Sequence, residues 1–336
     1  AFLGRSVQGS VLNVSAYRGV VQYDPTELVI TAKAGTSIIE LEQTLDEHKQ
    51  MLAFEPPVIN SKGTVGGMLA TGLAGPRRLF SGGVRDYILG IGLINGKGQH
   101  LRFGGQVMKN VAGYDVSRLM VGSMGCLGLL TDISLKVQPK PARQQYFQLN
   151  ASLQDFLVKV QQATNRMTPI SGVSHDGRYG YLRLEGRQES MAKFAQGQGL
   201  HYEQSAQETL QNYWENLRNH AGEFFQGPDR IFQLSLPKWS ELDSQLTLRG
   251  GLSECPAYKM DWAGARYWVK EAAGENLVAP LSELAKRLNG HLFLYKGEGE
   301  VSVPVLQSSI LTLHQNLKRA YDPAGILNPG RLFAEL

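Results

Sequence analysis

A chain of 336 residues, 42% hydrophobic and 19% charged, is long enough to bury a large core and to divide into about two domains. Its net charge of +4 is mild, and the charges are interspersed with no basic run between aromatics, which argues against a nucleic-acid partner. No apolar run reaches the roughly 20 residues that span a bilayer, Ala1-Phe2-Leu3-Gly4-Arg5 does not read as a signal peptide, and Cys126 and Cys255 lack metal-ligand spacing, so the composition favours a reduced, cytoplasmic setting.

Residues 7–34 read as short strands, with 28–32 apolar and β-branched between Asp24-Pro25 and Gly35. Ser37 and Glu40 form a capping-box pattern, and Ile38, Leu41 and Leu45 then share a helical face that ends near Lys49. Residues 87–94 and 100–103 read as strands joined by a turn through Asn95-Gly96-Lys97-Gly98. Residues 115–121 are a short helix candidate, and Leu129, Thr131, Ile133, Leu135 and Val137 alternate along a strand. Pro139 and Pro141 mark a domain boundary. Beyond it the glycines become isolated. Leu153, Phe156, Leu157, Val160 and Met167 make one helix face with Ser152 as N-cap, and Leu210, Tyr213, Trp214 and Leu217 make another. Residues 179–185, 230–236, 267–269 and 291–295 read as strands, so the region is an α+β layer. A final helix over residues 304–320 carries Leu306, Ile310, Leu313 and Leu317 on one side and stops at Tyr321-Asp322-Pro323.

The glycines concentrate in two blocks. The first holds Gly63-Thr64-Val65-Gly66-Gly67 and Thr71-Gly72-Leu73-Ala74-Gly75-Pro76-Arg77-Arg78, and the second holds Gly113 and Gly122-Ser123-Met124-Gly125-Cys126-Leu127-Gly128. Glycine costs backbone entropy, so such density points to backbone approaching a phosphate-bearing ligand, or else to turns between short strands. Thr64 and Thr71 supply hydroxyl donors. Neither a Rossmann G-x-G-x-x-G unit nor a P-loop is present. Gly122-Ser123-Met124-Gly125 lacks the G-x-S-x-G elbow of a nucleophilic serine, and Cys126 reads as a buried small residue. The seven histidines are scattered, with no ligand pair, and His291 reads as a satisfied core residue at the start of an apolar strand. Arg77 and Arg78 either neutralise a phosphate or substrate carboxylate or form a solvated loop tip. Asn328-Pro329-Gly330-Arg331 reads as a fixed terminal turn docked on something.

These glycine segments, with Lys109-Asn110-Val111-Ala112-Gly113-Tyr114-Asp115 and the Asp322-Pro323…Asn328-Pro329-Gly330-Arg331 tail, resemble the vanillyl-alcohol-oxidase, or PCMH-type, FAD-binding proteins. Ala1-Phe2-Leu3-Gly4-Arg5, Tyr23-Asp24-Pro25-Thr26-Glu27-Leu28-Val29 and Leu73-Ala74-Gly75-Pro76-Arg77-Arg78 are similar, within that group, to the FAD-binding E subunits of bacterial glycolate oxidase. The resemblance implies an α+β FAD-binding domain over residues 1–140, an α+β cap domain over 141–303, and a C-terminal segment, 304–336, that packs back on the flavin domain. It implies FAD contacts from Thr64, Val65, Gly66, Gly67, Thr71, Gly72, Gly75 and Pro76, the adenosine half along Gly125, Gly128, Leu129 and Leu130, and Asn328 and Arg331 near the isoalloxazine edge. Backbone N–H groups of residues 64–67 would hold the pyrophosphate or ribityl. The implied partners are a larger FAD-containing catalytic subunit and an iron–sulfur subunit, which place the chain in the cytoplasm or on the inner face of the bacterial membrane. The implied activity is oxidation of glycolate by the complex.

Two departures accompany the resemblance. The family carries a glycine-rich loop upstream of Ala-Phe-Leu-Gly-Arg, and this sequence starts at Ala1, so an N-terminally incomplete chain with weakened FAD affinity is expected. The larger catalytic subunits carry H-x-G-D-G-N-x-H, where this chain reads Asn289-Gly290-His291-Leu292-Phe293, and G-S-E-G-T-L-G, where it reads Gly122-Ser123-Met124-Gly125-Cys126-Leu127-Gly128. Both disfavour glycolate oxidation by this chain alone. The alternatives are a self-sufficient FAD-dependent 2-hydroxyacid dehydrogenase with Arg77 or Arg78 on the carboxylate, and a degenerate flavoprotein scaffold.

Overall fold

Two antiparallel sheets organise the chain, here as a computed structural model that describes residues 3–105, 115–164, 168–242, 255–299, 302–303 and 308–336. The first sheet runs in the order Val20–Asp24, Val29–Lys33, Leu129–Lys136, Ile88–Ile94, His100–Gly104. The second runs Ser302–Val303, His291–Lys296, Arg230–Ser235, Arg266–Glu271, Tyr258–Asp261, Ile170–His175, Tyr179–Glu185, Gln144–Asn150.

The first sheet follows its predicted patterning except at the start of Leu129–Lys136, where Leu130 is buried and Leu129 and Thr131 are half-buried beside a register shift. Ile30, Ile91, Leu93, Ile133 and Leu135 are buried with Ile38, Leu41 and Leu45 of the helix Ile38–Asp46. Ser37 caps that helix through Glu40 N–H at 3.0 Å, which satisfies one of its orphan donors. Asn95 shapes the predicted hairpin by accepting from Lys97 and Gln99 N–H, both at 3.0 Å. Asp115 caps the short helix Val116–Leu119 through Arg118 N–H.

The second sheet is covered on one face by the helices Leu153–Thr164, Gln188–Gly197 and Val278–Arg287, whose Phe156, Met191 and Leu281 are buried with Val173, Leu184 and Val269. Its other face carries an aromatic cluster that includes Tyr181, Trp214, Trp268 and Tyr295 and reaches Leu3, Leu73 and Met124 beside the first sheet. The strands Gln144–Asn150, Ile170–His175 and Tyr258–Asp261 and the helices Gln188–Gly197 and Val278–Arg287 are absent from the sequence expectations.

Two expectations are corrected. His291 is exposed, not a core residue, because it opens its strand at the sheet margin. On the helix Ser308–Tyr321, Ile310 and Leu313 are 40% and 58% exposed, so the apolar face is not the buried one; the buried residue is Lys318. Its ammonium donates to Cys126 O at 2.8 Å, Leu327 O at 2.6 Å and Asp322 Oδ2 at 2.8 Å, which gives each of its three protons an acceptor. Met167 and Leu306 of the predicted helix faces, and residues 109–114 of the Lys-Asn-Val-Ala-Gly-Tyr motif, lie outside the described residues.

Candidate functional site

The two glycine blocks, 56 positions apart in sequence from Gly66 to Gly122, meet in space. The first forms the helix Val65–Thr71, N-capped by Thr64 and closed by Gly72 in the left-handed region at φ 65°. The second lies against that helix's C-terminal turn: Gly122 N–H donates to Leu69 O at 3.0 Å, and Met124 N–H to Ala70 O at 2.9 Å. The carbonyls freed at a helix end thereby find donors in the loop, which ties the two blocks together.

The C-terminal tail completes the seam. Asn328 Nδ2 donates to Met124 O at 2.7 Å, and Cys126 Sγ lies 3.5 Å from Asn328 O. Asp322 accepts from Lys318 and from Ile326 and Leu327 N–H, and Gly96 N–H of the hairpin donates to Tyr321 O at 2.8 Å. The hydrogen bonds to Asp322 hold its carboxyl below the usual range against the opposing effect of burial. The N-terminal segment joins from the other side, with Arg5 N–H donating to Arg331 O at 2.9 Å and the Arg331 guanidinium to Leu3 O. Gly125, Asn328 and Arg331 are therefore neighbours, as are Thr71, Gly72 and Gly122.

The geometry corrects how several of these residues work. The N–H groups of Val65 and Gly66 donate to Thr36 O and Ala34 O at 2.9 and 2.8 Å, and that of Gly67 to Thr64 Oγ1 at 3.1 Å. A single N–H saturated inside the chain is not a free donor for a pyrophosphate, contrary to the sequence expectation. The Thr71 hydroxyl is likewise spent on Gly67 O at 2.8 Å, the usual back-bond of a helical threonine. Thr64 accepts with its oxygen and keeps its own proton to donate.

Gly66 is required by close packing, since a Cβ there would sit 2.8 Å from the Ala34 Cβ. Gly67 is different: a Cβ would meet only Thr64 Oγ1, at 3.2 Å, and the residue is exposed. Gly75 and Pro76 are buried between the sheets, where Gly75 O accepts from Trp262 Nε1 at 2.9 Å. Gly128 and Leu130 are buried and Leu129 half-buried along the first sheet.

Arg77 is not a substrate clamp. It is buried, and its guanidinium makes a forked pair with Glu185 while also facing Glu55 at 3.4 Å. Arg183 joins with 2.9 Å to Glu55, so Arg183 and Glu185 of one strand and Glu55 and Arg77 of two loops form one buried network. Burial alone would raise the Glu55 carboxyl, but Arg183 and Arg77 outweigh it and hold the group at about 2.

Arg78, the next residue, points the other way. It is exposed and lies 4.4 Å over the Trp262 ring. Arg266 also lies over that ring at 3.7 Å, is itself paired with Asp261, and donates to Ala74 O at 2.8 Å. Partial burial and the like charge of Arg266 lower the Arg78 pKa. Arg78 lines a cavity of about 440 Å3 with Thr71, Gly72, Arg85, Arg118 and Gly122.

The buried His220–Tyr295 pair is among those absent from the sequence expectations. His220 ends the helix Gln207–Asn219 in the left-handed region at φ 49°, and its Nδ1 lies 2.5 Å from the Tyr295 hydroxyl among Phe225 and Trp268. Burial and the nearby Arg266 lower the His220 pKa strongly, so the ring is neutral, and its Nε2 has no partner among the described residues. The only sequence signal was a histidine directly after an amphipathic helix.

The first 104 residues match a family model described as an FAD binding domain. The chain is 41% identical over its whole length to the glycolate oxidase subunit GlcE of Escherichia coli, covering 91% of that protein. The chain belongs to the GlcE family. It is 24% identical to the glycolate oxidase subunit GlcD of Bacillus subtilis over 97% of this chain and 80% of that one. A D-lactate dehydrogenase of Anaerostipes hadrus is 32% identical over 40% of this chain, which is 28% of its own length. Among solved structures, alkyldihydroxyacetonephosphate synthase superposes with a TM-score of 0.66 at 14% identity, covering 94% of this chain and 67% of that one, a likeness of fold.

A GlcE-family chain binds FAD, and the residues fit that group. A dinucleotide needs backbone free of side chains and a donor not already spent. Gly67 and Gly122 supply the first, since a Cβ on Gly122 would meet nothing within 4 Å. The Thr64 hydroxyl, whose own proton is not spent, supplies the second.

Proposed function

We propose that this GlcE-family chain is the flavin-holding, electron-relaying subunit of a glycolate oxidase that converts glycolate to glyoxylate. Its partners in this reading are a larger FAD-containing catalytic subunit and an iron–sulfur subunit. The observation that carries it is the 41% identity to GlcE along the entire chain. When bound, FAD supplies acceptance of a hydride equivalent and release of single electrons, which suits the junction between an organic acid and an iron–sulfur centre.

The chain's own residues do the holding. Lys318 and Asp322 fix the tail, and the tail fixes Asn328 and Arg331 against Met124, Cys126 and Leu3. The exposed Gly67, the Thr64 hydroxyl, Thr71 and Gly72 form the facing wall. No helix among the described residues is long and apolar enough to cross a membrane, and placement at the inner face through partners belongs to this proposal.

Purified chain, alone and with the two partner subunits, tests the reading by flavin absorbance. Flavin that bleaches with glycolate only when the partners are present is the expected result. Bleaching by the chain alone would replace the relay with a self-sufficient dehydrogenase. An intact, folded chain that takes up no flavin with or without partners would leave a scaffold.

A further inference from the structure

Two of the cavities that adjoin charged side chains differ in their charge balance. The larger, about 690 Å3, runs past Glu42, Glu55, Arg77, Arg183 and Arg218. Each of these arginines meets a carboxylate: Arg77 and Arg183 pair with Glu55 and Glu185, and Arg218 with Glu42. Those three arginines make no unmet demand for an anion, and the exposed Arg143 at the cavity's edge bonds to Gln188 Oε1.

The smaller cavity is walled by Arg78, Arg85, Arg118 and Asp86 over a floor of Thr71, Gly72 and Gly122. Arg118 pairs with Asp115 at 3.2 Å, and Asp86 is turned to Gly83 N–H at 2.8 Å. Arg78 and Arg85 make no hydrogen bond or ion pair with a described residue. Three guanidiniums thus face two carboxylates, and one positive charge is left over. Trp262 holds Arg78 from behind, while Gly83 leaves room for its Nε, which lies 3.1 Å from where a Cβ would be. The Arg78 guanidinium is therefore positioned while its donors stay unspent.

We propose that the Arg78–Arg85–Arg118 cavity is a binding site for a small monocarboxylate anion. The planar fork of an unpaired guanidinium matches a carboxylate through two parallel hydrogen bonds. A single negative charge cancels the surplus, whereas a phosphate dianion overshoots it. Thr71 and Gly72 belong both to this floor and to the cofactor wall, so the anion lies beside the flavin-facing surface. The choice of a hydroxy- or oxo-acid as the carboxylate rests on the glycolate oxidase reading; the anion site itself does not.

The test is titration of sodium glycolate, and separately of inorganic phosphate, into the full chain, read by calorimetry and by the melting temperature. Saturable glycolate binding is expected. The double variant Arg78→Gln with Arg85→Gln should weaken it at least tenfold. Arg143→Gln, at an exposed arginine lining the other cavity, should leave it unchanged. Circular dichroism confirms that the double variant is folded, as side chains without ion pairs are dispensable to the fold. Phosphate binding tighter than glycolate at the same arginines would overturn the carboxylate assignment. No glycolate binding by the wild-type chain, or binding untouched by the double variant, would overturn the site. Heat of binding does not depend on electron transfer, so failure of the flavin-bleaching experiment would leave this outcome standing.

Discussion

Arg77 and Arg78 are adjacent in one motif and meet opposite fates. Arg77 turns into the space between the two sheets, where Glu55, Glu185 and Arg183 enclose it. Arg78 turns outward over Trp262 and faces a cavity with its charge unpaired. The comparison shows that a basic dipeptide after a glycine-rich loop is not one functional unit. One arginine locks the sheets together, and the other is free to meet a ligand.

The sharpest way to break that contrast is to remove each arginine in turn. Arg77→Met leaves two buried glutamates short of a partner and should lower stability by about 3–5 kcal/mol in a urea titration. Arg78→Met loses only a cation–π contact, worth about 0.5–1 kcal/mol. Equal losses would show that the two sites are energetically alike.

The next effect separates the regions by pH. The Glu55 carboxyl, held at about 2 against its ordinary 4.5, contributes stability that is complete above pH 4.5 and lost as the pH falls toward 2. The contribution is about 3 kcal/mol. Glu55→Gln should flatten the stability profile of the chain over that window, as followed by denaturant midpoints from pH 5 downward. An unchanged acid slope in the variant would show that the network is not what makes the fold acid-sensitive.

Gly66 and Gly67 repeat the inward–outward contrast on a smaller scale. Gly66→Ala forces a methyl to 2.8 Å from the Ala34 Cβ, and overpacking of this kind costs about 1–3 kcal/mol. Gly67→Ala meets only a hydroxyl and gains helix propensity, up to about 1 kcal/mol of stability, while flavin uptake should fall. Thermal melts and the flavin-to-protein absorbance ratio give both readouts on the same samples. A Gly67→Ala chain that keeps full flavin would remove Gly67 from the cofactor wall. Thr64→Ala, which deletes the N-cap of the helix Val65–Thr71, should cost about 1 kcal/mol in the same melts.

Much of the first sheet was legible because its signals are local. Ser37 and Ser152 cap helices where their spacing says they should, and Asn95 closes the hairpin within four residues of itself. The strands Gln144–Asn150, Ile170–His175 and Tyr258–Asp261 were not legible. They sit toward the middle and far end of an eight-stranded sheet with residues buried on both faces, as the fully buried Ile170–His175 shows, so a period of two is erased. The candidate site was half legible: its glycine blocks and its Asn328–Arg331 turn stand out in composition, but not their partners.

The sequence alone determined the α+β class, the two glycine blocks, the helix caps and the likeness to FAD-binding glycolate oxidase subunits, because each of these is written in neighbouring residues. Only the tertiary structure decided that Val65–Gly67 spend their N–H groups at home, that Lys318 rather than its leucine neighbours is buried, and that Arg77 is locked while Arg78 is open. The physical reason is common to all three. A donor or a charge is free or spent according to what packs against it, and for Arg77 the decisive partner, Glu185, lies 108 residues away.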